Sequence, residues 1–304
     1  MTKKAADGQG KTNPADAKPL LALTGQYQNG KSTLLNCLLG GFYAVEGGGT
    51  VTTKYNAKYR FGDFFDAKLV ANNGTISSLP PAGDMMSVDD TIRQHDDLSR
   101  LEISVYSPLL KMMDLLDSPG CGANPEDNRT ADAALDQADF IIFVTQKTLD
   151  NESDLDFLSS LSEKGKHFTV VLNCFGAQDP LSEQAQSVCQ EIKAQLDGRH
   201  LDRNYVPLSE NAPVYPVNLL WAQCAIGYLE PGERKQRREQ VKRMMEQDDF
   251  TPSSLFFASN FAPLRTLLSS FVKTFFSYTP AKSLSLFPEI ANQWSDLLIK
   301  TIRG

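Results

Sequence analysis

Between Leu20 and Thr24 the chain reads LLALT, five residues without a charge, and then turns to glycine at Gly25. A continuous apolar run bounded by a glycine loop suits a strand buried on both faces. Beyond the loop, Leu34, Leu35, Leu38 and Leu39 recur at helical spacing, and Gly40-Gly41 provides the stop of a helix. Segments of strand character follow at 55–61, 65–70, 101–106, 111–116, 140–145, 168–172 and 214–219. Helical patterns lie between the later ones, near 130–137, 152–163 and 181–197. Strands alternating with helices predict an α/β domain with a mostly parallel sheet. In ISVYSPLLKMMDLLD (103–117) two strand-like runs are separated only by Ser107-Pro108, which predicts an antiparallel hairpin and therefore a mixed sheet.

From Trp221 onward the pattern turns helical. Residues 231–249 are densely charged, and 261–276 place Leu264, Leu267, Leu268, Phe271 and Val272 on one stripe. After Pro280 a last stripe is formed by Ile290, Trp294, Leu297, Leu298 and Ile302. The first 19 residues are polar, contain Pro14 and Pro19, and lack the apolar stretch of a secretory signal, so they are expected to be a disordered leader. The expected division is a leader over 1–19, a main domain over 20–279 and a C-terminal helix over 280–304. That helix would begin a helical bundle or pack on the main domain.

Composition narrows the function. With 41% hydrophobic and 22% charged residues the chain has the balance of an ordinary soluble protein. A formal net charge of −7 argues against a nucleic-acid partner, which requires clustered Lys and Arg. It leaves room for a peripheral membrane contact through a local basic face. No apolar run reaches the roughly 18 residues of a membrane-spanning helix, and cytoplasm is the default address. Cys37, Cys121, Cys174, Cys189 and Cys224 form no C-x-x-C pair and only three histidines exist, so a zinc site is not expected and reduced thiols are. The basic run from Arg234 to Arg243 is interleaved with Glu233 and Glu239 and reads as a solvated helix face.

Three elements carry candidate chemistry. Gly25, Gly30, Lys31 and Ser32 satisfy the pattern G-x-x-x-x-G-K-[ST], with a strand before it and a helix after it. Glycines allow backbone N–H groups to turn onto phosphate oxygens, and the helix adds its positive N-terminal end. Lys31 would reach the β- and γ-phosphates and Ser32 would ligate Mg²⁺, within a binding set of Gly25, Gln28, Asn29, Gly30, Lys31, Ser32 and Thr33. Downstream, GGGTVTTKY (47–55) offers Thr50, Thr52 and Thr53 as hydroxyls for the metal and the attacking water. The third element, Asp117-Ser118-Pro119-Gly120, ends an apolar run. There Asp117 would hold Mg²⁺ through water and the Gly120 N–H would sense the γ-phosphate.

With these elements in order the chain resembles the dynamin superfamily of large GTPases over roughly residues 20–276. GGGTVTT resembles the first switch loop of dynamins, which assigns the switch role to Thr52, and DSPG resembles their D-x-P-G signature. The ADFIIFVTQ strand and the SNFAPLRTLLSSFV helix are similar to segments of such domains. The resemblance implies a phosphate-loop, Ras-like mixed sheet with flanking helices, Mg²⁺-dependent hydrolysis of GTP to GDP, and dimerisation across the nucleotide face. It also implies membrane remodelling, usually through helical regions beyond the GTPase domain.

Two positions depart from the pattern. Tyr27-Gln28 stand where dynamins carry Gln-Ser, the serine helping to bind a catalytic monovalent cation; the Gln28 carboxamide would have to take that part. The guanine motif [NT]-K-x-D reads Asn173-Cys174-Phe175-Gly176 here. Asn173 remains, able to bind purine N7 and brace the phosphate loop, while backbone N–H groups at Asn218 and Leu219 are candidates for guanine O6. Gln178 and Asp179 are candidate substitutes for the missing carboxylate. A phosphate-loop ATPase or relaxed-specificity NTPase therefore stays open, as does a nucleotide-binding interaction protein that hydrolyses nothing.

Overall fold

The computed structural model describes residues 18–44, 55–78, 98–119, 134–176, 178–201, 214–227 and 235–278. The expected switch loop with Thr50, Thr52 and Thr53, Gly120, Cys121 and the stripe around Trp294 all lie outside them.

β1 (Leu20–Thr24) runs between two parallel neighbours, β6 (Asp114–Asp117) and β7 (Phe140–Thr145), which is why all five of its residues are buried. Outside β7 lie β8 (His167–Asn173) and then β9 (Tyr215–Val217), each parallel to its neighbour. On the other flank β2 (Asn56–Phe61) pairs antiparallel with β6 and parallel with β5 (Leu98–Val105). β3 (Asp66–Ala71) and β4 (Ile76–Ser78) complete a nine-stranded sheet in the order β4-β3-β5-β2-β6-β1-β7-β8-β9. The expected mixed sheet is present, but not through the expected hairpin, because β2 lies between β5 and β6. Residues Pro108–Met112, read in part as strand, form the short helix α2, with Pro108 in its first turn and Leu109, Leu110 and Met112 buried. A short apolar run fits helix or strand equally well, and proline at a first helical position favours the helix.

Alternation along β1 divides the core. Leu21 and Leu23 face one apolar cluster together with α1 (Lys31–Leu39), while Leu20 and Ala22 face a second. The second cluster is covered by α3 (Glu152–Glu163) and α4 (Glu183–Gly198). The first also takes in α5 (Leu219–Ile226), Val241 of α6 (Lys235–Gln247), α7 (Pro252–Ala258) and α8 (Phe261–Tyr278). α8 buries Leu264, Leu268 and Val272, three residues of the expected stripe, with Leu267 and Phe271 partly covered. Lys18 and Pro19, expected in the leader, are already engaged: Lys18 Nζ donates to the Leu110 carbonyl at 2.9 Å, and the Pro19 carbonyl accepts from Asp114 N–H at 2.9 Å. Cys37, Cys174 and Cys189 are buried and Cys224 is half-buried, with no disulfide among the described residues.

Candidate nucleotide-binding site

The site is built where β1 ends. Gly25 follows the strand with φ +132°, and a Cβ there would lie 2.2 Å from the Val144 carbonyl oxygen, so β7 leaves room only for glycine. The loop turns through Gln28, a non-glycine residue at φ +65°, and reaches α1 through Gly30 at φ +98°. A Cβ at Gly30 would meet the Asn173 amide nitrogen at 2.4 Å. Among the described residues no side chain caps the N-terminus of α1, leaving a helix start suited to an anion.

Other strands hold the loop in this shape. Asn173, the last residue of β8, donates its amide to the Asn29 carbonyl at 3.0 Å, the bracing role expected of it. Asn29 donates to the Val144 carbonyl at 3.1 Å, and Gln146 donates to the Gln28 carbonyl at 3.1 Å. Gln26 donates to Asp154 of α3 at 2.8 Å. Burial raises the Asp154 carboxyl above its ordinary value, against the lowering effects of the Gln26 hydrogen bond and the Lys147 charge. Gln26, Gln146 and Asp154 were not anticipated; a bond linking positions 128 apart leaves no mark in local sequence.

Lys31 is buried, and its ammonium donates to the Gly25 and Gln26 carbonyls at 3.1 and 2.9 Å, across the mouth of its own loop. Ser32, one residue on, donates to Asp117 at the end of β6 across 3.4 Å. Burial pushes the Asp117 carboxyl up to about 6, while the Lys31 charge and the Ser32 hydrogen bond pull the other way. Its second oxygen, Oδ1, is buried without a hydrogen-bond partner among the described residues. Two chain-distant elements thus converge. Thr33 is half-buried in the first turn of α1, and Gln28 is exposed at the outer lip.

The opposite side of the loop faces the ends of β8 and β9. Asn218 is fully buried; its amide oxygen accepts from Trp221 N–H at 3.0 Å, and its amide nitrogen donates to the Gly176 and Gln178 carbonyls at 3.0 and 2.9 Å. Its backbone N–H donates to the Ser259 carbonyl at 3.0 Å and is therefore taken, contrary to its expected role toward a base oxygen. Leu219 is buried beside Gly30. Thr52 and Gly120 lie outside the described residues, so no geometry attaches to them.

No curated protein matches the chain. Two solved structures of an oligomerised bacterial dynamin pair, described as a mechanism for long-range sensing and tethering of membranes, share its fold. One has a TM-score of 0.55 at 17% identity and covers 94% of this chain and 54% of its own. The other has a TM-score of 0.52 at 16% identity and covers 94% of this chain and 45% of its own. The chain thus spans about half the length of these neighbours. The family model described as Dynamin family matches residues 21–175, just over half of the sequence. That stretch runs from β1 through the phosphate-loop pattern and Asp117 to the residues after β8, and the chain belongs to the dynamin family.

Proposed function

We propose that this domain binds GTP with Mg²⁺ and hydrolyses the bond to its terminal phosphate, acting as a switching or mechanochemical module. The reading is carried by the convergence of Lys31, Ser32 and Asp117 at the ends of β1 and β6. Lys31 donates to two neutral carbonyls. A triphosphate in the loop would offer charged oxygens, adding charge–charge attraction to bonds that the ammonium now makes to carbonyl dipoles. The residues present fit a magnesium ion: a hydroxyl stands beside a carboxylate whose Oδ1 is buried without a partner among the described residues. Ser32 would hold the ion directly and Asp117 through water, and a magnesium ion held there would supply positive charge against the phosphates. To Thr52 we assign the switch hydroxyl, to Gly120 the N–H that senses the γ-phosphate, to Gln28 the lip over the phosphates and to Asn173 the purine N7.

A homodimer across the nucleotide face and a peripheral membrane contact are the partners in keeping with the oligomerised, membrane-tethering bacterial pair. No helix among the described residues is long and apolar enough to cross a membrane. Titrating a fluorescent GTP analogue onto Lys31→Ala and Ser32→Asn tests the site, with an expected loss of about 1.5–3 kcal/mol or more in each. Unchanged affinity in a folded Lys31→Ala protein would sink the proposal. Thr52→Ala should depress hydrolysis far more than GDP binding, because a switch threonine engages only when a γ-phosphate holds its loop closed. Equal loss of GDP and GTP affinity would return the role to Thr50 or Thr53.

A further inference from the structure

We propose that the base-binding corner of this domain does not select guanine, so that its substrate class is purine nucleoside triphosphates rather than GTP alone; this rests on the nucleotide-site reading above. The metal side of the loop is the β6 side, where Ser32 meets Asp117. Asn173 joins the loop from the β8 side. A nucleotide with its phosphates in the loop therefore extends its base toward the ends of β8 and β9.

Guanine presents there an N1–H and an N2 amino group, both donors, beside the O6 acceptor. Adenine presents an unprotonated N1, an acceptor, beside a donor at N6. Selection of guanine needs a group that only accepts, because such a group rewards one base and repels the other. At position 176, where the guanine motif carries its aspartate, the corner offers none. Gly176 has no side chain, and among the described residues no atom beyond its chain neighbours lies within 4 Å of where its Cβ would stand. The Gly176 and Gln178 carbonyls already accept from Asn218, and the Phe175 carbonyl accepts from Gln178 N–H at 3.3 Å. The next carboxylate along the loop, Asp179, is exposed and accepts from Leu181 N–H at 2.8 Å. What remains does not discriminate. Asn173 can meet N7, which both purines share, and the exposed ring of Phe175 offers a face that either base can cover. The half-buried Gln178 carboxamide presents an acceptor or a donor after a half-turn.

The test is displacement of a bound fluorescent GTP analogue from the full chain, with Mg²⁺, by GTP and by ATP. The expected preference for GTP is below about a hundredfold, since the neutral bonds left to distinguish the bases are worth only a few-fold each. A preference of about a hundredfold or more would overturn the proposal while leaving the nucleotide site intact. A probe that does not bind at all would overturn the site reading, and this proposal with it. Gly176→Asp should fold, since its Cβ direction is open and aspartate tolerates φ near the observed +67°. It should shift the preference toward GTP by about tenfold or more, chiefly through lost ATP binding. An unchanged ratio in that variant would show that residue 176 is not where the base edge is read.

Discussion

Asp117 is the residue at which structure and chemistry pull hardest against each other. Burial raises its carboxyl from an ordinary 3.8 to about 6, so at neutral pH it is a charged group held away from solvent. A carboxyl with a raised folded-state pKa contributes stability that is complete below about pH 4 and is lost as pH rises through 6. Without nucleotide, the chain should therefore be less stable at pH 7.5 than at pH 5 through this group, by about 1.4 kcal/mol. Asp117→Asn should flatten that dependence and be the more stable protein at pH 7.5, while losing Mg²⁺-dependent nucleotide binding. Denaturant midpoints of both proteins at the two pH values measure it, and a variant less stable than the parent at pH 7.5 would contradict the argument. The position was legible as a loop carboxylate after an apolar strand; its strain was not, because that depends on how completely β1 and β6 enclose it. The Gln26–Asp154 bond was illegible for a similar reason, since a first-turn acidic residue is ordinarily read as a partner of its own helix dipole.

At the scale of elements, the strands and helices that carry long periodic patterns were readable, and those set by context were not. β1, β7, β8, α3 and α4 fall close to where alternation or helical spacing puts them. α2 was hidden in a run whose leucines suit either state, and the insertion of β2 between β5 and β6 is a long-range choice that local pattern does not encode. α7 is announced only by Thr251-Pro252-Ser253-Ser254, where Thr251 and Ser254 cap each other. Asn218 shows how one residue couples elements: it caps α5 and ties down the loop after β8. Asn218→Ala should cost about 2–4 kcal/mol, the sum of a lost cap and two carbonyls left without that donor. Urea unfolding would register it, and a loss within about 0.5 kcal/mol would mean that the loop is held by other contacts.

For the whole molecule, ligand and fold are linked through the phosphate loop, which β7, β8 and α3 all brace. GTP with Mg²⁺ at a hundred times its dissociation constant should stabilise the chain by about 2.7 kcal/mol, and Lys31→Ala at the same concentration should gain much less. An equal gain in the two proteins would put the ligand elsewhere. The claim on which the account turns is hydrolysis. Single-turnover release of phosphate, from GTP bound to excess protein, tests it with and without Mg²⁺ and alongside Lys31→Ala. Release should depend on Mg²⁺ and be lost in the variant; binding without any release above the buffer rate would contradict hydrolysis and leave a nucleotide-dependent interaction protein in its place.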